Sequence, residues 1–477
     1  MKKILYTASE CTPFIKTGGL ADVIGSLPQA LVNEEQADVR VILPKYGTIP
    51  AKWHEQMTEI ASFPVQIGWR NQGAKLFKLK HDGITFYFIE NHHYFERQGV
   101  YGYYDDGERF VFYSMAVMES LKYLDFTPEI LHAHDWQAGL TVAFANILQP
   151  IKGMKTVFTI HNIKYQGMLQ FEAFDDLFIL PREHFAGFEW NGMINCMKSG
   201  IFHADKITTV SPSYAEEIKD PYYGEGLDSL LRERAGDLSG IINGINTDDY
   251  NPMKDPHIHA NYQTSRAKKK ENKKALQEAI GLPVNGDVPV YIAISRFVEQ
   301  KGFHLVEHIL HDFLQNDVQV VILGTGEYEF ESSFSWFAQN FSDKMATLLK
   351  FDEGLARQLY AAADFFIMPS KFEPCGLSQL ISLQYKTVPI VRETGGLKDT
   401  VHAFNEFDGT GNGFSFENYN AHELLQQMEY SLKIYHDPKQ WQTLLKNVNK
   451  SKFSWKDSAT AYARLYDELT PAKTKGE

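Results

Sequence analysis

Short apolar runs alternate with helix-patterned stretches along almost the whole chain, and this alternation restricts the fold more than any other feature. In the first half the β-like runs lie at residues 4–8, 39–43, 84–89, 130–132, 156–160, 206–210 and 239–242. In the second half they lie at 290–294, 318–323, 365–368 and 388–391. Helical patterns such as residues 110–124 fall between several of them, and Ser211-Pro212 reads as an N-cap followed by proline at the first helical position. Such alternation predicts parallel sheets with helices on both faces. A chain of 477 residues exceeds one ordinary core. Turn formers from Ile242-Asn243-Gly244 to Asn251-Pro252 mark the join between the halves. A last helix starts at Ser454-Trp455, with Trp455, Ala459, Tyr462, Leu465 and Leu469 in helical spacing; the polar tail after Thr470 is expected to be disordered. The reading is α/β: two doubly wound domains facing each other, with ligands at the carboxyl ends of the strands.

One local motif occurs twice. Lys16-Thr17-Gly18-Gly19-Leu20-Ala21-Asp22 follows the first β-like run, and Glu393-Thr394-Gly395-Gly396-Leu397-Lys398-Asp399 follows the run at 388–391. Paired glycines let a backbone approach a ligand without a Cβ in the way. The helix behind them offers unpaired N–H groups to an anion. One copy would be an ordinary turn. Two copies in separate halves suggest a phosphate-bearing ligand held in an interdomain cleft.

Composition narrows the partners. A net charge of −13 argues against nucleic acid. The one basic run, Lys268 to Lys274, sits in a helical pattern that stops at Gly281-Leu282-Pro283, and reads as a solvated helix face. Three widely spaced cysteines, Cys11, Cys196 and Cys375, offer neither a disulfide framework nor a metal-ligand spacing. There is no signal-peptide pattern and no apolar run near the roughly 20 residues that span a bilayer. A cytoplasmic, reducing location and no membrane partner are therefore expected.

Polar residues cluster where strands should end. Arg296 and Lys301 follow the run at 290–294 and either reach the two phosphates of a diphosphate or form a surface ion pair. Gly324-Thr325-Gly326 is a phosphate-loop candidate or simply a turn. Glu373, within Pro369 to Leu377, either contacts a sugar and its developing positive charge or is an ordinary helix-start carboxylate. His132, His134 and Asp135 follow one strand and His161-Asn162 another, all expected to face one crevice. Zinc at His132 and His134 lacks further ligands, so no metal is expected. With no Asp-x-Asp pair in the chain, a donor diphosphate would be neutralised by Arg296, Lys301 and helix termini.

Taken together, the segments 16–23, 132–140, 161–167, 205–212, 242–244, 295–302, 369–377 and 394–400 resemble the bacterial glycogen synthases and the plant starch synthases close to them, over nearly the whole chain. The resemblance implies two facing Rossmann-like domains of the GT-B type. They would span residues 1–245 on the acceptor side and 246–453 on the nucleotide-sugar side, with 454–477 crossing back to the first. It implies retaining transfer of glucose from ADP-glucose to an α-1,4-glucan, with ADP-glucose as donor substrate and no cofactor. Its catalytic residues would be Glu373, His161, Lys301 and Arg296. The donor would meet Lys16, Gly18, Gly19, Arg296, Lys301, Gly326, Phe351, Cys375, Gly376, Leu377, Thr394, Gly395 and Gly396. Glucose and acceptor would meet Asp22, Asp135, Asn162, Tyr165, Gln166 and Asn243. The second turn is expected to cap the donor phosphates through backbone N–H groups. Three positions depart from the family pattern: Ile381 replaces a second glutamate common in related transferases, Asn246 replaces an aspartate at the domain junction, and Phe351 replaces a tyrosine near the adenine.

Overall fold

The computed structural model describes residues 1–34 and 36–470. The chain divides into two compact units, Met1–Asn243 with the segment from Trp455 onward, and Gly244–Ser454. The expected tail after Thr470 lies outside the described residues.

The first unit contains strands β1 (Lys2–Thr7), β2 (Ala37–Pro44), β3 (Thr58–Ile67), β4 (Arg70–His81), β5 (Ile84–Glu90), β6 (Ile130–His134) and β7 (Lys155–Ile160). It continues with β8 (Met168–Leu169), β9 (Glu189–Trp190), β10 (Met193–Asn195), β11 (Lys206–Thr209) and β12 (Leu238–Gly240). Nine of these form one sheet in the order β12-β11-β7-β6-β1-β2-β5-β4-β3, and β8, β10 and β9 form a small antiparallel sheet. From β12 to β5 the large sheet is parallel, and its central strands are buried on both faces. That is why they read as continuous apolar runs.

The expectation of a wholly parallel sheet is corrected at one edge. There β5, β4 and β3 pair antiparallel. The end of β3 alternates buried and exposed residues, so one face meets solvent. Its apolar signal is half that of a central strand, which explains why residues 58–81 carry no strand reading. Gly68, at φ 52°, makes the tight turn between the two.

Trp455–Leu469 forms the last helix and packs on the helix Gly19–Asn33. Trp455, Ala459, Tyr462 and Tyr466 enter the first unit's core. The Tyr466 hydroxyl meets Tyr6 Oη at 2.6 Å and His132 Nδ1 at 2.8 Å, and Ser458 donates to the Ile242 carbonyl at 2.6 Å.

The second unit has β13 (Val290–Ile294), β14 (Gln319–Leu323), β15 (Met345–Leu348), β16 (Phe365–Met368), β17 (Val388–Arg392) and β18 (Phe414–Phe416). They form one parallel sheet in the order β15-β14-β13-β16-β17-β18. Both outer strands escape sequence reading: β18 has three residues, and β15 is only half-buried.

Within each unit the order is doubly wound. Counting only parallel strands along the chain, both sheets run 3-2-1-4-5-6, with β12 appended in the first. The order reverses between β1 and β6 in the first unit, and between β13 and β16 in the second. Crevices at the carboxyl ends of those strand pairs are where such sheets bind ligands.

Candidate functional site

In the second unit, the loop after β13 is pressed onto the loop after β16. Gly302 holds φ 74°, and a Cβ there would lie 2.1 Å from the Pro369 carbonyl oxygen. The Gln300 side chain donates to the Phe372 carbonyl at 3.2 Å, and the Lys371 N–H donates to the Gln300 carbonyl at 2.8 Å. This clamp sets Lys301 Nζ 2.6 Å from Glu373 Oε2, which also accepts from Ser370 Oγ at 3.0 Å. Glu373 is only 7% exposed. Burying a pair of charges sacrifices hydration and contributes little net stability, so such a pair points to chemistry rather than to fold.

Arg296, on the same loop, is exposed and makes no ion pair among the described residues. The expected cation pair is thus split: Lys301 holds Glu373, and Arg296 is available to an anion. Phe351 lies just beyond β15 and is 90% exposed, a free aromatic face for stacking.

Gly326 is explained by packing. A Cβ there would sit 2.2 Å from the Phe297 carbonyl oxygen, and its N–H already donates to Glu331 at 2.9 Å.

The second Thr-Gly-Gly turn starts the helix Gly395–Thr400. Its glycines serve the Glu373 loop: added Cβ atoms at Gly395 and Gly396 would lie 2.0 Å from the Glu373 carbonyl and 2.2 Å from that of Cys375. The expectation of free N–H groups for the donor phosphates does not hold for three residues. Thr394 N–H donates to Arg392, Gly396 N–H to Glu373 and Pro374, and Leu397 N–H to Thr394. Cys375 is buried, and its carbonyl and that of Gly376 each accept from Gln379 at 3.0 Å. Leu377 caps the helix Ser378–Gln384.

The first turn is built differently. Gly18 is the N-cap of Gly19–Asn33, with extended backbone, and an added Cβ would meet only Glu10 Oε1 at 3.8 Å. The N–H groups of Thr17 and Gly18 and the Thr17 hydroxyl all donate to the Glu10 carboxylate. Glu10 is buried, and burial lifts its carboxyl above the usual range despite those bonds. An internal carboxylate therefore occupies the anion-binding position of this turn. Lys16 Nζ pairs with Asp22 Oδ1 at 2.8 Å, both partly exposed.

At the end of β6 the chain turns sharply. Asp135 has φ 58° and opens the helix Asp135–Leu148. Its Oδ1 accepts from the N–H groups of His161 at 2.7 Å and Asn162 at 3.3 Å. Burial raises the Asp135 carboxyl to about 7, with those N–H bonds opposing the shift. His161 is lowered to about 3 by burial, so its imidazole is neutral at physiological pH. His134 Nδ1 lies 3.0 Å from His161 Nε2.

The expectation that all three histidines face the crevice is corrected. His132 and His134 are buried and stacked at 4.2 Å. His132 is held by Thr159 Oγ1 at 2.6 Å and by Tyr466. Only His161 is partly open to solvent. Gln166 is fully engaged as a brace, donating to Ile163 and Glu225 carbonyls and accepting from Asn195 at 2.7 Å. Asn162 Oδ1 accepts from Lys164 N–H at 3.1 Å, and Tyr165 is 55% exposed. Asn243 is buried, and its Oδ1 has no hydrogen-bond partner. An orphaned acceptor in a buried amide fits a ligand hydroxyl. Asn246 keeps its turn, accepting from Asp248 and Asp249 N–H groups at 3.1 and 3.2 Å, as an aspartate would.

Sequence reasoning missed Glu10, Ser370 and the His134–His161 contact. Glu10 carries a local signal, a lone carboxylate shortly before a Gly-Gly helix start. The other two depend on how strands are paired. Among the described residues no group of three or more His, Cys, Asp and Glu side chains converges on a metal site. No helix among them is long and apolar enough to cross a membrane.

The comparisons with known proteins agree in both halves. A family model described as the starch synthase catalytic domain matches residues 3–233, and one described as glycosyl transferases group 1 matches residues 276–447. The chain is 61% identical to a glycogen synthase of Oceanobacillus iheyensis over 469 residues, covering 98% of each. It is 50% identical to a glycogen synthase of Exiguobacterium sibiricum, covering 98% of this chain and 99% of that one. Among solved structures, the catalytic domain of starch synthase IV from Arabidopsis thaliana, bound to ADP and acarbose, superposes with a TM-score of 0.89 at 32% identity, covering 98% of this chain and 99% of that one. A sucrose-phosphate synthase from Thermosynechococcus elongatus shares the fold, with a TM-score of 0.62 at 16% identity and coverage of 98% and 99%.

Proposed function

The chain belongs to the glycogen synthase family, and from that membership we propose its reaction: transfer of glucose from ADP-glucose to the non-reducing end of an α-1,4-glucan, with release of ADP. The observation that carries the reading is the contact of Lys301 with the buried Glu373 at the β13/β16 switch point.

The bond between glucose C1 and the diphosphate oxygen breaks, and its electron pair leaves with ADP. Negative charge grows on the leaving group and positive charge on the sugar ring. Arg296 stands open to the first, Lys301 shares its ammonium protons between Glu373 and the leaving group, and Glu373 faces the second. The acceptor 4-hydroxyl oxygen bonds to C1, and its proton passes to the departing phosphate oxygen on the same face, which retains configuration. His161, kept neutral, donates a hydrogen bond to a sugar hydroxyl or accepts one from it. Asn243 Oδ1 accepts another from the sugar. Lys16 approaches the donor by exchanging Asp22 for a phosphate. Phe351 stacks on the adenine. Arg296, Lys301 and Lys16 supply the charge that neutralises the diphosphate in this reading, with no metal or cofactor. Three free cysteines suit a reducing cytoplasm.

The test is ADP release with glycogen as acceptor, comparing ADP-glucose with UDP-glucose. ADP-glucose is expected to be used preferentially. Absence of ADP release would leave a glucan-binding protein without catalysis. Equal use of both donors would overturn the donor assignment.

A further inference from the structure

The second unit's sheet has an opposite edge, and a cavity of about 210 Å³ opens there. Six cations line it: Arg266, Lys269, Lys270, Lys273, Lys386 and Lys446, with Asp364 the one carboxylate among the lining residues. Tyr435 and Trp441 supply an aromatic wall. Asp364 stands immediately before β16, and Lys386 two residues before β17. These are the amino ends of strands whose carboxyl ends bear the Glu373 loop and the second turn. A strand of five residues spans about 16 Å, so this cavity is separate from the donor half-site.

The basic run expected to be a solvated helix face proves to be half inward. It belongs to the helix Arg266–Ile280. Lys273 is 2% exposed; its Nζ pairs with Asp364 at 2.6 Å and donates to the Val288 carbonyl at 2.9 Å. Lys269 Nζ donates to the carbonyls of Tyr360 and Tyr385 at 3.1 and 3.0 Å and to Thr387 Oγ1 at 2.8 Å, all uncharged. Lys270 pairs with Asp287 outside the lining. Arg266, Lys386 and Lys446 have no ion pair among the described residues. With Lys270 and Lys273 each matched to a carboxylate, Arg266, Lys386 and Lys446 remain as three uncompensated charges around one small concavity, beside a Lys269 held only by neutral acceptors.

Lys386 adds an independent sign. Its backbone is left-handed at φ 62°, a conformation relaxed for glycine or asparagine and strained for lysine. Burial lowers the Lys269 ammonium to about 7; the Asp364 carboxylate opposes that shift, and the charges of Lys273 and Lys386 add to it. Like charges gathered against a low-dielectric wall repel, and an anion of matching valence relieves that repulsion. Ammonium and guanidinium donors beside the hydroxyls of Thr264 and Ser265 suit tetrahedral oxyanions.

We propose that this cavity is a second anion site, binding a small polyvalent phosphate two or three phosphoryl groups long. The experiment is calorimetric titration of inorganic pyrophosphate, and then tripolyphosphate, into the full chain saturated with ADP to block the donor half-site. Orthophosphate serves as the monovalent-group control. The expected result is one site per chain that weakens with added salt. Replacing two exposed or half-exposed cations together, Lys386→Gln with Lys446→Gln, should weaken it roughly tenfold or more, while Lys301→Ala should leave it unchanged. Absence of binding at about 10 mM polyphosphate, or an affinity unaltered in the double variant, would overturn the proposal. Circular dichroism of the double variant checks that the fold is kept.

Discussion

The two units share one strand order and one location for their loops, yet they handle charge in opposite ways. At the β13/β16 switch point the second unit pairs a half-buried Lys301 with the buried Glu373 and leaves Arg296 open. At the β1/β6 switch point the first unit gathers groups that are neutral or easily neutralised: a buried His134, a partly open His161 and a half-buried Asp135 carboxyl raised to about 7. The proposed reaction gives this difference a reason: a departing diphosphate needs fixed cations, whereas sugar hydroxyls need neutral donors and acceptors in fixed places. The twin Thr-Gly-Gly turns repeat the contrast. The first wraps its N–H groups around Glu10, and the second uses its glycines to support the backbone of the Glu373 loop.

Removing Lys301 should cost most. Lys301→Ala is expected to reduce turnover by about 10²–10³-fold, the scale of losing one preorganised donor. Its melting temperature should also fall, because Glu373 is left buried with Ser370 as its one remaining partner among the described residues, so turnover is compared at a temperature where the variant is folded. Near-normal ADP release in this variant would end the charged-unit half of the comparison.

The turns are separated by alanine substitution. Gly395→Ala forces a Cβ against the Glu373 carbonyl at a left-handed φ of 45° and should destabilise by about 1–3 kcal/mol. It should also lower turnover, since the displaced loop carries Glu373. Gly18→Ala meets no such contact and should stay within about 1 kcal/mol of the parent. Chemical denaturation of both reads the difference; equal losses would show that the turns are equivalent after all.

A smaller effect tests the neutral unit. The Asp135 carboxyl is raised above its unfolded value, so the folded state holds this proton more tightly. The stability it contributes is complete at pH values below about 4 and is lost as pH rises through about 7. Asp135→Asn, which keeps an oxygen to accept from His161 and Asn162, removes that dependence. The melting temperature of the parent relative to this variant should therefore fall between pH 4 and 7. A constant difference across that range would mean that Asp135 is ionised throughout.

The smallest change concerns the last helix. Tyr466→Phe deletes the hydroxyl shared by Tyr6 and His132 and should destabilise by about 1 kcal/mol. Turnover should be unchanged, because His132 lies in the core and not at the site. A marked loss of turnover would restore His132 to the reacting centre.

Much of this molecule is legible in its residues alone. Strands buried on both faces announce themselves as apolar runs, and polar residues placed just after them fall at strand ends by the geometry of parallel sheets. That local logic placed Arg296, Lys301, Glu373, Asp135 and His161 just after strands, where the structure has them. It failed where the deciding partner is distant in sequence. The edge strands β3 and β15 have one open face and half a signal. Gln166 and His132 look like ligands until Asn195 and Tyr466 claim them. Lys269 and Lys273 look solvated until the strand ends and loops around Tyr385, Val288 and Asp364 draw them in.

Periodicity and turn chemistry are short-range properties, so the amino-acid sequence by itself determined two doubly wound units and the polar loops at their strand ends. The tertiary structure alone decided which N–H groups, lysines and amides remain free for a ligand. That choice depends on contacts between segments tens to hundreds of residues apart, because a buried polar group takes whatever partner the packing brings to it.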